Sequence, residues 1–383
     1  MSTVLWNATT MEDPMEEYGF RSCVFPIKIR RAAQASKISL ESAIRQCERT
    51  VRTDESLSDK DVSIPLFGDD DAVALLNRIT AGAPTLNEVC DHGRGVELNK
   101  SGYVIQCLMC QLWDAPPLKG ERGGFQNKKC THCGANYPIG DDVPSRVLVS
   151  KDRGSFEQSR PYLDGDSITR YMPPLIHWID ISADGINYKP DTLYRQPKLL
   201  IRQAGIGVNV ILDQNLGAYC PQSVYVYRVK PVFRERNIDE YILISLLCSR
   251  LFHLQVFMSF GEIDSSRAFS KLTHTRLCRM RTIVPDLIQE HPLAVSHLHT
   301  CAEKLCSEGI TGNEHLDWDA EGCWSHILDL TYDDICCVIN NFAKVHHNET
   351  MQALFPGGAE QERDKWTDTW MRAIERASER CKC

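Results

Sequence analysis

A chain of 383 residues with 43 % hydrophobic and 25 % charged residues is ordinary for a globular protein and long enough for two or three domains with cores of their own. Its net charge of −8 argues against a protein that holds nucleic acid by bulk charge alone, while leaving room for local basic patches. Seventeen cysteines, an odd number, behind an acidic start without a secretory pattern (Met1–Phe20) read as reduced thiols plus one metal site in a cytoplasmic compartment.

In chain order, residues 18–31 carry a strand-like alternation through Val24, Phe25, Ile27 and Ile29, and a helix is predicted over about Leu40–Thr50. A polar linker follows at Arg52–Asp61, and then a short helix over Asp70–Ile79 with Leu75, Leu76 and Ile79 on one side. Thr85 is placed to cap the next unit. From Gly93 to Pro231 the pattern is short strands between turns, clearest at Lys198–Arg202, Val208–Asp213 and Ser223–Val229, which are β-branched or aromatic and bounded by Gly or Pro. Asp239–Ser259 reads as one strong helix with Asp239 at its positive end. Its apolar stretch, Tyr241–Phe260, is interrupted by Ser249, Arg250, His253 and Gln255, which predicts a buried helix and no membrane association. Residues 285–383 are predicted mostly helical, with Pro292 in a first turn and Thr331-Tyr-Asp-Asp as a capping box ahead of Ile335–Phe342. The fold class is therefore α+β.

Cys107, Cys110, Cys130 and Cys133 form two Cys-x-x-Cys knuckles. A two-residue spacer turns both thiolates of a knuckle toward one ion, and the intervening loop supplies the second pair. The polar run Lys119–Lys129 between them has no apolar periodicity. A structural Zn²⁺ with four closed ligands accounts for this better than core cysteine pairs or a redox disulfide do. Catalytic signatures are missing: there is no Walker-type phosphate loop, no G-x-S-x-G elbow and no H-E-x-x-H helix. Adjacent pairs such as His346-His347 and Cys336-Cys337 would point apart on a helix, the first as surface and the second as packing residues. Cys381 and Cys383 fall in a tail expected to fray.

The ordered segments from about Pro84 to Pro285 resemble the target-recognition half of adenine-specific DNA methyltransferases related to TaqI methyltransferase and to fused restriction–modification proteins. The pieces that carry the resemblance are Pro84-Thr-Leu-Asn-Glu-Val with Gly93-Arg-Gly-Val-Glu, the ribbon from Gly102 to Gly134, and Arg160-Pro-Tyr-Leu-Asp-Gly-Asp-Ser-Ile-Thr-Arg-Tyr. Pro197-Lys-Leu-Leu-Ile-Arg-Gln-Ala-Gly with Asp213, Leu246-Leu-Cys-Ser-Arg-Leu, and Leu272-Thr with Val284-Pro-Asp-Leu complete the series. It implies an N-terminal segment, 1–80, that is similar to the end of a methyltransferase domain. A mixed-sheet target-recognition domain over 81–290, with the zinc ribbon inserted at 103–140, and a C-terminal helical region over 291–383 follow.

The catalytic half of that family carries an Asn/Asp-Pro-Pro-Tyr/Phe motif for the flipped adenine and a Gly-containing turn for S-adenosylmethionine. Neither occurs here, since Asp114-Ala-Pro-Pro-Leu lacks the aromatic residue. The resemblance thus implies a specificity part, starting about where a catalytic domain would end and silent alone, that reads duplex DNA for a partner subunit carrying S-adenosylmethionine. Its expected DNA contacts are Arg94, Lys119, Arg122, Lys128, Lys129, Arg170, Lys198, Arg202, Lys271 and Arg276. Lys198 and Arg202 could equally flank a buried strand, and Asp166 and Arg170 could pair structurally in a turn. The competing reading is a zinc-ribbon protein–protein adaptor that does not read DNA. A complete enzyme would need unrecognised donor-binding residues within 1–80.

Overall fold

The computed structural model describes residues 70–98, 102–115, 127–138, 143–172, 175–204, 207–260, 272–343, 354–356, 359 and 362–381, together with three short N-terminal strands. Those strands, β1 (Val4–Asn7), β2 (Gly19–Cys23) and β3 (Glu48–Arg52), pair antiparallel in sequence order. Glu48, Arg49 and Thr50, expected in a helix, lie instead in β3, where the β-branched Thr50-Val51 sits opposite Phe20 and Arg21.

Helix α1 (Asp70–Thr80) buries Ala72, Leu75, Leu76 and Ile79. The single turn α2 (Leu86–Val89) opens with a complete capping box, in which Thr85 accepts from the Glu88 amide and the Glu88 carboxylate accepts from Thr85 N. Strand β4 (Cys90–Arg94) leads to the ribbon strands β5 (Tyr103–Gln106), β6 (Trp113–Asp114), β7 (Asn127–Lys129), β8 (Asn136–Pro138) and β9 (Ser145–Val147). Next come β10 (Val149–Ser150), β11 (Ser159–Leu163) and β12 (Ile176–Asp180), then β13 (Lys198–Arg202), β14 (Val210–Asp213) and β15 (Val224–Val229). Pairing within these sheets is antiparallel, and parallel pairing occurs as isolated bridges at Val96–Pro221 and Tyr162–Tyr219.

The central sheet runs β14-β13-β15-β4 and is buried on both faces. Alternation assigns the faces: Leu199, Ile201, Val210, Tyr225 and Tyr227 look into one core, and Leu200, Ile211, Val224 and Val226 into another. That is why these strands read as continuous apolar runs rather than as alternating ones. The second core is completed by strand and loop residues, among them Val96, Leu98, Leu148, Tyr162 and Leu163. At Gly95 the chain passes so close to the Cys220 carbonyl that a Cβ would overlap it, and Val96 N donates to the same oxygen at 2.7 Å.

The first core is helical. After α3 (Pro231–Arg234), α4 (Glu240–Cys248) is capped by Asp239, whose carboxylate accepts from Tyr241 N and Ile242 N. The single helix expected over Asp239–Ser259 is two: α4 ends and α5 (Arg250–Phe260) begins at a 62° bend. Ser249 is the cause. Its backbone is extended, and its hydroxyl accepts from Phe252 N at 3.1 Å, capping α5. No single helix among the described residues is long and apolar enough to cross a membrane.

Short helices α6 (His274–Cys278) and α7 (Pro285–Glu290) precede α8 (Pro292–Glu308), α9 (Glu314–Ile327), α10 (Tyr332–Ala343) and α11 (Arg363–Arg380). The Thr331 box forms as expected, with the Asp334 carboxylate accepting from Thr331 N at 2.8 Å. The same carboxylate pairs with Arg78 of α1 at 2.6 Å. His346, His347 and Cys383 lie outside the described residues, while Cys381 packs partly buried against the helical core. That core is continuous from Ala72 to Ala377 and therefore crosses both boundaries expected near residues 80 and 290. The C-terminal helices are one wall of the body that holds the sheet.

Candidate metal centre and placement of the basic residues

The two cysteine knuckles fold alike. In each, the first cysteine donates its amide to the carbonyl five residues on (Cys107 to Leu112, 2.9 Å; Cys130 to Ala135, 2.9 Å). Its carbonyl accepts from the residue four on, Gln111 at 2.8 Å and Gly134 at 3.1 Å. Both of those residues have positive φ, 63° and 75°, a conformation natural for glycine and strained for glutamine. These turns aim all four sulfurs inward. Cys107 Sγ stands 3.8 Å from Cys133 Sγ, and Cys110 Sγ 3.7 Å from Cys130 Sγ. A tetrahedral ion with bonds of about 2.3 Å to sulfur sets its ligands about 3.8 Å apart, so the spacing fits. The four thiols can hold a metal ion.

Backbone amides prepare the charge. Burial raises the Cys107 thiol, but the amides of Cys110 and Met109 outweigh it and hold it down at about 7. Cys130 is likewise lowered against burial by the amides of Cys133 and His132. For Cys110 the Leu112 amide pulls down, yet burial and the sulfurs sharing the site push it up to about 12. Four thiols cannot all ionise in one place without a cation.

Among the described residues little else holds this unit. Its apolar cluster is Ile105, Cys107, Cys130 and Val143, with Tyr103 and Cys110 at the margin. Thr131 N donates to Asp114 Oδ2 at 2.9 Å, Trp113 N donates to Asp184 O at 2.8 Å, and the Arg146 guanidinium lies 4.5 Å over the Trp113 ring.

The ten basic residues expected to touch DNA fall into three groups. Lys119, Arg122, the Lys128 side chain and Lys271 lie outside the described residues, and Lys129 is exposed on β7. Two are corrected by burial. Lys198 is 0 % exposed and pairs with Asp213 while donating to Tyr194 O at 3.0 Å. Arg170 is buried against Asp317 and donates to Cys248 O at 2.9 Å, at the C-terminal end of α4. Neither can reach a phosphate. The turn pair expected between Asp166 and Arg170 is made instead by Asp166 and Arg202, at 3.2 Å.

Arg94, Arg202 and Arg276 are the third group, and the sheet brings them to one end. Arg202 lies opposite Val224 and Arg94 opposite Tyr225, on the two strands flanking β15. Leu272 N donates to Gln203 O at 3.0 Å, and the His274 ring packs 4.9 Å from Tyr225, which sets α6 and its exposed Arg276 beside them. Arg94 is exposed and donates to Gln222 O at 3.1 Å.

The sequence matches no protein-family model, and none of the curated proteins matches it.

A second group of donor side chains was not foreseen: His92, His274 and Cys278, whose ligand atoms lie within 4.8 Å of one another. His274 and Cys278 stand four apart, one helical turn, and that was the signal available in the sequence. His92 joins them only through the fold.

Proposed function

We propose that the four-cysteine centre holds a structural Zn²⁺ and that the chain is the DNA sequence-recognition part of an adenine-methylating or restriction–modification system. It acts with a partner subunit that carries S-adenosylmethionine and methylates adenine N6. The observation that carries this reading is the convergence of Arg94, Arg202 and Arg276 at one end of the central sheet in a chain of net charge −8. Arg94 and Arg276 are exposed while Arg202 is half-buried beside Asp166, so Arg94 and Arg276 are the better-placed phosphate or base contacts. The ordered resemblance to target-recognition domains supports the same assignment.

The test is binding to duplex DNA over a salt series, with the methyltransferase partner present, for the wild type and for Arg94→Ala and Arg276→Ala. A lost phosphate contact weakens binding to all sequences and flattens the log–log salt slope by about one unit. A lost base contact costs about 1–3 kcal/mol on the preferred site alone. Unchanged affinity and slope in both variants would remove this end of the sheet from any DNA interface.

One observation favours the adaptor reading. Leu108 and Met109, at the tip of the first knuckle, are 49 % and 72 % exposed, an apolar tip suited to a protein partner. No DNA binding at low salt by wild type with its partner, together with loss of that partner in Leu108→Ser/Met109→Ser, would establish the adaptor instead.

A further inference from the structure

We infer that His92, His274 and Cys278 form a second metal site, an N₂S set for a borderline divalent ion of the Zn²⁺ type, clamping β4 to α6. Cys278 Sγ lies 3.6 Å from His92 Nε2 and 3.8 Å from His274 Nε2. An ion with bonds of about 2.3 Å to sulfur and about 2.0–2.1 Å to nitrogen sets a tetrahedral S···N separation of about 3.6 Å. The three donors come from two elements that share no local sequence, and the two imidazoles meet edge-on with ring centres 4.7 Å apart.

The surroundings suit such a set. Burial, with the neighbouring His92 and Arg94, holds His274 down at about 4, and burial with Lys230 lowers His92, so both rings are neutral donors at neutral pH. Tyr227, fully buried, lies with its hydroxyl 3.3 Å from Cys278 Sγ, placed to donate to a thiolate. His92 Nδ1 is buried without a hydrogen-bond partner, so the outer bond that usually orients a ligating imidazole is not made at this ring, and its hold comes from packing alone. Asn87 Oδ1 lies 2.7 Å from His92 Nε2, and ligation at Nε2 removes the proton that this hydrogen bond needs, which leaves Asn87 Oδ1 as a candidate fourth oxygen ligand. Arg94 and Lys230 oppose a cation here and Asp91 favours it. The Cys278 thiol, raised by burial, gives up its proton to the solvent as the metal–sulfur bond forms. On the reading proposed above, the ion also fixes the spacing of Arg94, two residues along β4 from His92, and Arg276, which lies between His274 and Cys278.

The experiment is metal content after chelator stripping and reconstitution of the full chain with Zn²⁺, then with Co²⁺ as an optical probe. Two ions per chain are expected for the wild type and one each for Cys278→Ser, His274→Ala and Cys130→Ser. In Cys130→Ser the remaining Co²⁺ should show a thiolate-to-cobalt charge-transfer band that Cys278→Ser added to it abolishes. The Cys130→Ser content decides when set against the double variant with Cys278→Ser, since Cys107, Cys110 and Cys133 still offer three thiolates. A value near zero in protein that keeps its helical circular dichroism, or a content and band unchanged on adding Cys278→Ser, overturns the second site, and a value near one with a band that the double variant loses sustains it. Should that variant not fold, one ion in the wild type and an unchanged count in Cys278→Ser overturn the site equally.

Discussion

The ribbon and the helical core solve the problem of buried charge in opposite ways. Around Cys107, Cys110, Cys130 and Cys133 the described residues make few apolar contacts, and four thiols are drawn together where they can hold an external cation. In the helical core the charges are internal and cancel. Arg250 pairs with Glu321 at 3.1 Å and with Asp317 at 3.1 Å, Asp317 also pairs with Arg170, and all four side chains are nearly inaccessible. The Arg250 guanidinium lies 3.5 Å over the Trp318 ring and donates to Leu354 O at 2.8 Å. One region is arranged around an ion that it can hold, and the other around residues far apart in its own chain. The first should yield to a chelator and the second to a single uncompensated substitution.

The largest effect should come from Asp317→Ala, which takes the carboxylate from the buried Arg170 guanidinium and leaves Arg250 with Glu321 alone. Breaking a buried ion pair from one side costs about 3–5 kcal/mol, and urea unfolding of zinc-saturated protein should register it. A loss below about 1 kcal/mol would mean that the core does not rely on its internal charges. Next is Gly322→Ala. A Cβ there would collide with the Ala373 carbonyl where α9 and α11 touch, so overpacking of about 1–3 kcal/mol is expected in the same assay.

Thr85→Ala should remove the box that seats α2 against β4, at about 1 kcal/mol. Its partner Glu88 is held below the ordinary carboxylate range by hydrogen bonds from the Thr85 amide and hydroxyl. Its stabilisation is therefore full above the unfolded-state value of about 4.3 and lost as pH falls through the lower folded-state value. Glu88→Gln should flatten that part of the acid limb, and a pH series of urea midpoints would show it. The smallest effect on the main transition belongs to Cys130→Ser. The ribbon should lose its metal and its protection from proteolysis, while the helical core unfolds within about 0.5 kcal/mol of wild type. A large shift of the main transition would merge the two regions into one cooperative unit.

How far the sequence could be read follows the same division. The four-cysteine centre was legible because its ligands are close in the chain and their spacing is itself the geometry. Strands β13, β14 and β15, α1, and the caps at Thr85, Asp239 and Thr331 were legible because they are set by local chemistry. What depended on distant partners was not. Arg170 and Lys198 looked like surface cations because buried ones are rare, and the residue that neutralises Arg170 lies 147 positions away. Ser249 was visible as a polar break in an apolar run, and its cap on Phe252 N is local, but the Glu321 carboxylate that accepts from the next amide, Arg250 N, belongs to α9. His92 is 186 positions from Cys278, and no spacing rule reaches that far.

The amide of Arg250 donates to the Glu321 carboxylate at 2.9 Å, so the start of α5 is closed by a residue made 71 positions later. During synthesis Arg170 and Arg250 leave the ribosome before their counter-ions Asp317 and Glu321 exist, and the earlier-made part must wait, with both guanidiniums solvated, for α9 to arrive. Nascent chains halted near residue 290 should accordingly be held by chaperones or digested by protease, and those halted beyond α11 should resist. The order of translation is thereby written into the core: its last-made helices are the ones that complete it.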